Sequence, residues 1–350
     1  GRRPSSLADH RFGIHGRTPF ATQRNPWARV GTASRAVKTG ADALPQTVGI
    51  IGLGLMGQAI AGRLARAGYR VCGYDLKAEA RQRAAAQGVD AVPDARDVAS
   101  RASAVFLCLF SSDDRRRLLW GDQALAESFR RGTVLLDIST GRPADLVEDH
   151  WRLLPLGVRL VDACISGSSE RVAEGQAVAL IGDCEEDSTC AELLATFCKA
   201  LFYLGAPGSG CTAKLVVNTA MGLNRLVVAE TLGLATRLGL DPVQVLDVLR
   251  AGDAYSRAMD TKGPRMAERS YIPAAARLSQ HAKDVDLILE LAGQVGAPMP
   301  LSNAHQFLLS QLIVRGLGDL DNAAIYEAFA PDSGEPCRRD EPEEGRDANA

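Results

Sequence analysis

Val48-Gly49-Ile50-Ile51-Gly52-Leu53-Gly54-Leu55-Met56-Gly57 decides the fold, because an apolar run passes into a GxGxxG and then into the helix-forming segment 58–66. Gly52 permits a tight turn, Gly54 leaves room for a pyrophosphate against backbone N–H groups, and Gly57 lets helix and strand pack closely. An anion there sits on a helix N-terminus, where several N–H groups lack internal partners. The next apolar run, 70–74, is followed by Asp75, 18 residues beyond Gly57, where this arrangement aims a carboxylate at the adenosine ribose hydroxyls. Glycines at this spacing also occur in ordinary turns, and an Asp can simply end a strand. Strand, turn, helix and acid in one register favour dinucleotide binding over both bland readings. A carboxylate at 75 repels a ribose 2′-phosphate, so NAD is expected over NADP, although Lys77 and Arg81 follow closely.

Outward from this stretch, further short apolar runs at 104–109, 133–138, 160–163, 177–181 and 201–203 alternate at first with segments rich in Ala, Arg, Leu and Glu at 78–86 and 113–119. The latter residues are good helix formers. Strands apolar on both faces, alternating with helices, predict a parallel sheet covered by helices, a doubly wound α/β fold. After Gly205-Ala206-Pro207-Gly208 the texture changes. Residues 211–238 predict one long helix in which Lys214, Asn218, Arg225 and Glu230 interrupt an otherwise apolar sequence, so it should be buried on most sides. Helices are expected at 241–250, 278–292 and 303–315, with no strand-like run among them. The organisation expected is a sheet domain over 46–207 and an all-helical domain over 208–330.

At 350 residues the chain is long enough for two cores. Its formal charge of −2, with 40 basic and 42 acidic side chains, gives no overall field for nucleic acid or an anionic membrane. No apolar run reaches the ~20 residues of a membrane span. The eight cysteines are scattered without a CxxC pair, which suits a reducing compartment and argues against structural zinc; no metal is expected. Residues 1–45 are rich in Arg, Ser, Thr and Gly with only Asp9 and Asp42 as acids. They are expected to be a disordered extension, and an Arg-rich, acid-poor leader also fits an organelle transit peptide. A cytoplasmic location is therefore expected, with a mitochondrial one as the alternative. Residues 331–350, charged and Pro/Gly-rich, are expected to remain solvated.

Three more motifs carry chemistry. Asp137-Ile138-Ser139-Thr140-Gly141-Arg142-Pro143 ends an apolar strand, at the carboxyl edge where α/β sheets bind ligands; its Ser and Thr could equally cap the next helix. Asp162-Ala163-Cys164-Ile165-Ser166-Gly167-Ser168 offers hydroxyls and free backbone N–H groups that can hold an anion. In Gly208-Ser209-Gly210-Cys211-Thr212-Ala213-Lys214-Leu215-Val216-Val217-Asn218, Lys214 and Asn218 are four apart and share a helix face. A Lys in so apolar a helix loses solvation, which lowers its pKa toward the working pH; the bland alternative is a lysine that snorkels to solvent. Downstream, Lys283-Asp284 stands at a helix start, where either residue could be a solvated charge.

With the Gly52–Gly57 turn, these motifs resemble the β-hydroxyacid dehydrogenases over about residues 47–328, a family that includes 3-hydroxyisobutyrate, tartronate semialdehyde and threonate dehydrogenases and short-chain semialdehyde reductases. The resemblance implies a Rossmann-type domain followed by an all-α domain joined through the long helix. It implies Lys214 as the catalytic residue, and Ser166, Gly167, Ser168, Asn218, Thr140 and Lys283 against a small carboxylate substrate. It implies cofactor contacts from Gly52, Leu53, Gly54, Met56, Gly57, Asp75, Leu109, Thr140, Lys283 and Asp284, and a homodimer or homotetramer. Cys164 replaces the family's usual Pro and Ser168 its second Gly, which leaves the substrate's carbon skeleton open. Other readings are a cofactor-binding interaction protein of the same fold without turnover, an imine reductase, or a 6-phosphogluconate dehydrogenase. Lys214 opposes the first two, since such proteins usually lack it, and the absence of an obvious Arg cluster for a sugar phosphate opposes the third.

Overall fold

The computed structural model describes residues 47–122, 124–182 and 188–331. The expectations for 1–45, and beyond Pro331 for the tail, fall outside these. The first part of the chain alternates strand and helix: β1 Thr47–Ile51, α1 Leu55–Arg66, β2 Arg70–Tyr74, α2 Ala78–Ala85, β3 Asp90–Ala91, α3 Ala95–Arg101, β4 Ala104–Leu107, α4 Ser112–Trp120, β5 Val134–Asp137, α5 Pro143–Leu153, β6 Arg159–Ser166, α6 Ser169–Ala173, β7 Ala177–Ile181, α7 Ser188–Ala195 and β8 Cys198–Tyr203. Helices follow: α8 Ser209–Arg237, α9 Pro242–Ala251, α10 Arg257–Thr261, α11 Gly263–Ala267, α12 Leu278–Val295 and α13 Pro300–Val314.

The eight strands form one sheet in the order β3-β2-β1-β4-β5-β6-β7-β8. Successive side chains point to opposite faces. Val48, Ile50 and Phe106 therefore enter one core with Ile60 and Leu64 of α1, and Ile51, Val105 and Leu107 enter the other with Val98 of α3 and Leu146 of α5. Two-faced burial is why these strands are apolar runs rather than alternating ones. The expectation of a parallel sheet needs one correction: β6 pairs antiparallel with β7, and β7 then runs parallel to β8. Only the 167–176 segment, with its short α6, joins β6 to β7, too little for the crossover that parallel neighbours need. The two-residue β3 has no counterpart among the expected strands because Asp90–Ala91 carries no apolar run.

Strand order reverses between β1 and β4, which opens a crevice at the carboxyl edge of the sheet. The helical part packs its own core, with Leu226, Val228 and Leu232 of α8 against Leu278 and Val285 of α12 and Leu309 and Leu312 of α13. Thus α8 touches both units: its first turns lie on β6 and β7 and its later turns join the second core. Among the described residues no helix is long and apolar enough to cross a membrane, and no group of His, Cys, Asp and Glu could hold a metal ion.

Candidate active site

The glycine turn has the shape its sequence implies. Gly52 lies at φ +99°, and a Cβ there would stand 2.3 Å from the Cys108 carbonyl oxygen; a Cβ on Gly57 would stand 1.9 Å from that of Gly52. Around Gly54 a Cβ would meet nothing within 4 Å, so its backbone faces open space at the start of α1. Among the described residues no side chain caps that helix, leaving its first N–H groups available to an anion. Leu53 is buried and Met56 half-buried. Asp75, half-buried just beyond β2, accepts the Leu53 N–H at 2.7 Å and the Lys77 N–H at 2.8 Å. Its carboxylate is fixed beside the turn with lone pairs left over for hydroxyl donors. These residues fit a dinucleotide.

Along the carboxyl edge, β4 and β5 are tied together beyond their last paired residues. Leu109 donates its N–H to Ser139 Oγ at 3.0 Å, and Ser139 Oγ donates to the Leu107 carbonyl at 3.3 Å. Thr140, half-buried, follows on the same edge. Beneath lies a fully buried Arg115, whose guanidinium pairs with Asp137 and, at 2.9 Å, with Asp149. Asp137 also accepts the Ser139 N–H at 3.0 Å. Sequence reasoning missed this cluster; the signal available was a carboxylate closing an apolar strand, a residue type that is almost never buried unless paired.

At the end of β6, Ser166, Gly167 and Ser168 are half-buried. Gly167 sits at φ +145°, and Ser168 caps α6 through the Arg171 N–H at 3.4 Å. Ser166 Oγ lies 3.9 Å from Met221 Sδ, which sets this loop against α8. The Cys164 thiol, where a Pro is expected by resemblance, contacts the Ser139 carbonyl at 3.4 Å and the Cys211 sulfur at 3.6 Å. Asp162, also fully buried, accepts the N–H groups of Gly208 and Cys211 and so holds the start of α8.

Lys214 and Asn218 face inward from α8, 8% and 7% exposed, so Lys214 does not snorkel. Among the described residues no hydrogen bond or ion pair ties its ammonium down. Burial lowers its pKa, and Lys283 lowers it further, while Asp284 and Cys164 oppose this. The Asn218 amide donates to Asp284 at 3.0 Å across the α8–α12 contact. Lys283 ion-pairs with Asp284 at 3.0 Å and donates to the carbonyls of Thr140 at 2.7 Å and Phe110 at 3.0 Å. It thus fastens α12 to the ends of β4 and β5. Lys214, Asn218, Asp284 and Lys283 form one group over the carboxyl edge; the Ser166 loop flanks it on α8, and the glycine turn lies at the same sheet edge. A buried, uncommitted amine beside an amide can exchange a proton with a small polar ligand.

Residues 47–205 match the family model described as the NAD binding domain of 6-phosphogluconate dehydrogenase. Residues 208–329 match the one described as NAD-binding of NADP-dependent 3-hydroxyisobutyrate dehydrogenase. The L-threonate dehydrogenase of Cupriavidus necator is 27% identical over 82% of this chain and 97% of its own. The 2-hydroxy-3-oxopropionate reductase of Escherichia coli is 28% identical over 81% and 96%. The crystal structure of 3-hydroxyisobutyrate dehydrogenase from Salmonella typhimurium shares the fold, with a TM-score of 0.75 and 24% identity over 81% of this chain and 99% of that one.

Proposed function

The chain belongs to the β-hydroxyacid dehydrogenase family, nicotinamide-dependent oxidoreductases acting on a CH–OH group, and on that premise we propose that it uses NAD to oxidise a small β-hydroxy acid, or NADH to reduce the matching semialdehyde, with Lys214 as general acid/base. The observation that carries this reading is the buried Lys214 amine, free of any ion pair among the described residues and beside Asn218. When bound, the nicotinamide supplies the hydride acceptor or donor. The substrate carboxylate takes the Ser166–Gly167 loop and its alcohol lies between Lys214 and Asn218. Neutral Lys214 accepts the hydroxyl proton during oxidation, and in the reverse direction its ammonium returns a proton to the alcohol oxygen. Such catalysis contributes about 10²–10⁴-fold. Asn218, braced by Asp284, orients the alcohol. Lys283 serves the cofactor side by holding the Thr140 and Phe110 carbonyls in place, and Asp284 ion-pairs with it.

The preference for NAD rests on Asp75, whose carboxylate stands beside the turn with Lys77 exposed and Arg81 turned back onto the Asp75 carbonyl at 2.6 Å. One matching family model is nevertheless described by an NADP-dependent enzyme, so both cofactors belong in the assay. Self-association is part of the same reading: Val216, Val227 and Leu234 of α8 and Phe307 and Val314 of α13 are exposed apolar side chains, of the kind that mark a shared interface. A panel of hydroxy acids with NAD and with NADP, followed by absorbance of the reduced cofactor, tests the reading. Turnover of at least one small hydroxy acid is expected; none across the panel would contradict it.

A further inference from the structure

Arg225 stands about two turns past Asn218 on α8, 7% exposed, and neither its Nε nor its Nη1 has a hydrogen-bond partner among the described residues. Beside it lie His281 of α12 and His305 of α13, 6% and 2% exposed. Their rings are 5.0 Å apart and each Nε2 is without a hydrogen-bond partner among the described residues. Both rings lie on the α8 backbone at Gly222, where a Cβ would stand 2.8 Å from His281 Cε1 and 3.2 Å from His305 Cε1. Buried polar groups are ordinarily hydrogen-bonded and buried charges paired, so an unpartnered guanidinium beside two imidazoles, each of which can carry its N–H on Nε2, can serve an acceptor.

Neighbouring carboxylates do not provide it. Asp321 is committed to Lys262 at 2.7 Å; Asp284 ion-pairs with Lys283 and accepts from Asn218, each at 3.0 Å, and its Oδ1 accepts no hydrogen bond among the described residues. The charges of Arg225, Lys262 and Lys283 therefore face two ion-paired carboxylates. Burial pushes the Arg225 pKa down to about 10. Burial, and then the Arg225 charge, pushes His305 down to about 4. Near neutral pH both imidazoles are uncharged, each with one N–H to give, around a guanidinium that still carries its charge.

The cluster lies about one turn further along α8 than Asn218. Gly222 lies four residues past Asn218, about 6 Å along the helix, the reach of a short carbon chain. Met221, next to it, is where the Ser166 loop meets α8. We propose that Arg225, His281 and His305 form an anion subsite at the inner end of the substrate cleft, holding the second acidic group of a hydroxy acid or semialdehyde that carries one at each end. Guanidinium binds carboxylate bidentately, and its long stem lets it turn toward the cleft. The assignment rests on the chemistry proposed at Lys214.

The test compares kcat/KM for hydroxy-dicarboxylic acids with that for monocarboxylic analogues of equal length, in the full-length wild-type enzyme and in Arg225→Met. The wild type should favour the dicarboxylates by about tenfold or more, as sites built around a polar group do, and the ratio should fall at least tenfold in the variant. A wild-type ratio at or below one, or a ratio unchanged by Arg225→Met, overturns the subsite. Calorimetric binding of succinate and glutarate against butyrate and valerate, to the wild-type enzyme with its cofactor, needs neither turnover nor a folded variant. Tighter dicarboxylate binding supports the subsite and equal binding overturns it. Absence of turnover with every substrate, alongside tighter dicarboxylate binding, would count against Lys214 and not against the subsite.

Discussion

The carboxylate of Asp162 on β6 accepts the backbone N–H of Cys211 at 3.0 Å, one turn ahead of Lys214 on α8. It also accepts the N–H of Gly208 at 3.1 Å. Helix-start N–H groups favour its charge, although burial outweighs them and raises its pKa, and the contacts fix where α8 begins relative to the Ser166 loop four residues further along β6. Asp162→Asn keeps the shape but loses the charge and one acceptor. Expected are a loss of about 1–3 kcal/mol in stability and a fall in kcat larger than any change in cofactor Kd. Denaturant unfolding and steady-state kinetics check this, and parent-like kcat would remove Asp162 from the positioning of Lys214.

Asp75→Arg should move cofactor preference toward NADP, since the carboxylate that opposes a 2′-phosphate is replaced by a cation that attracts one. The ratio of kcat/KM with the two cofactors is the readout, and an unchanged ratio would show that Asp75 does not touch the ribose.

Arg115→Met should destabilise the fold by about 3–5 kcal/mol, because Asp137 and Asp149 would remain buried with their shared cation gone. The ends of β4 and β5 should loosen with it, raising KM for the cofactor. Loss below about 1 kcal/mol on denaturant unfolding would mean that the pair is dispensable.

Asp321 gives the fold an acid limit. Burial raises its carboxyl pKa, but the Lys262 charge and hydrogen bond and the backbone N–H groups of Ala323 and Ala275 outweigh this and hold it below the ordinary 3.8. A carboxyl depressed in the folded state contributes stability that is fully present above the unfolded value and lost as pH falls through the folded one. The stability gap between wild type and Asp321→Asn should therefore narrow as pH drops below 3.8. A gap independent of acid would contradict the pairing.

Much of this architecture was legible in the sequence, and for physical reasons. The strands are buried on both faces, so β2 and β7 coincide with their apolar runs, and Gly52 and Gly57 occupy positions where any Cβ would strike backbone. Lys214 and Asn218 were visible as polar residues on one face of an apolar helix. The antiparallel turn of β7 was not legible, since an apolar run carries no sign of its direction. Nor were the partners of Arg115 and Asp162 or the neighbours of Arg225: each depends on residues dozens of positions away meeting in the core, and local pattern does not encode which buried charge meets which. Lys283 illustrates the same limit, for its helix-start position gave no hint that it reaches the carbonyls of Phe110 and Thr140.

The pH dependence of kcat/KM in both directions, for the wild type and for Lys214→Ala, tests the central claim most directly. Burial places the Lys214 pKa below its ordinary 10.5, so the neutral base needed for oxidation becomes populated at lower pH than for a solvated lysine. Oxidation should rise with pH and level off below 10.5, reduction should fall across the same range, and Lys214→Ala should lose about 10²–10⁴-fold together with that dependence while still binding the cofactor. Turnover of Lys214→Ala within a few-fold of the parent, with the same pH limb, would contradict the account.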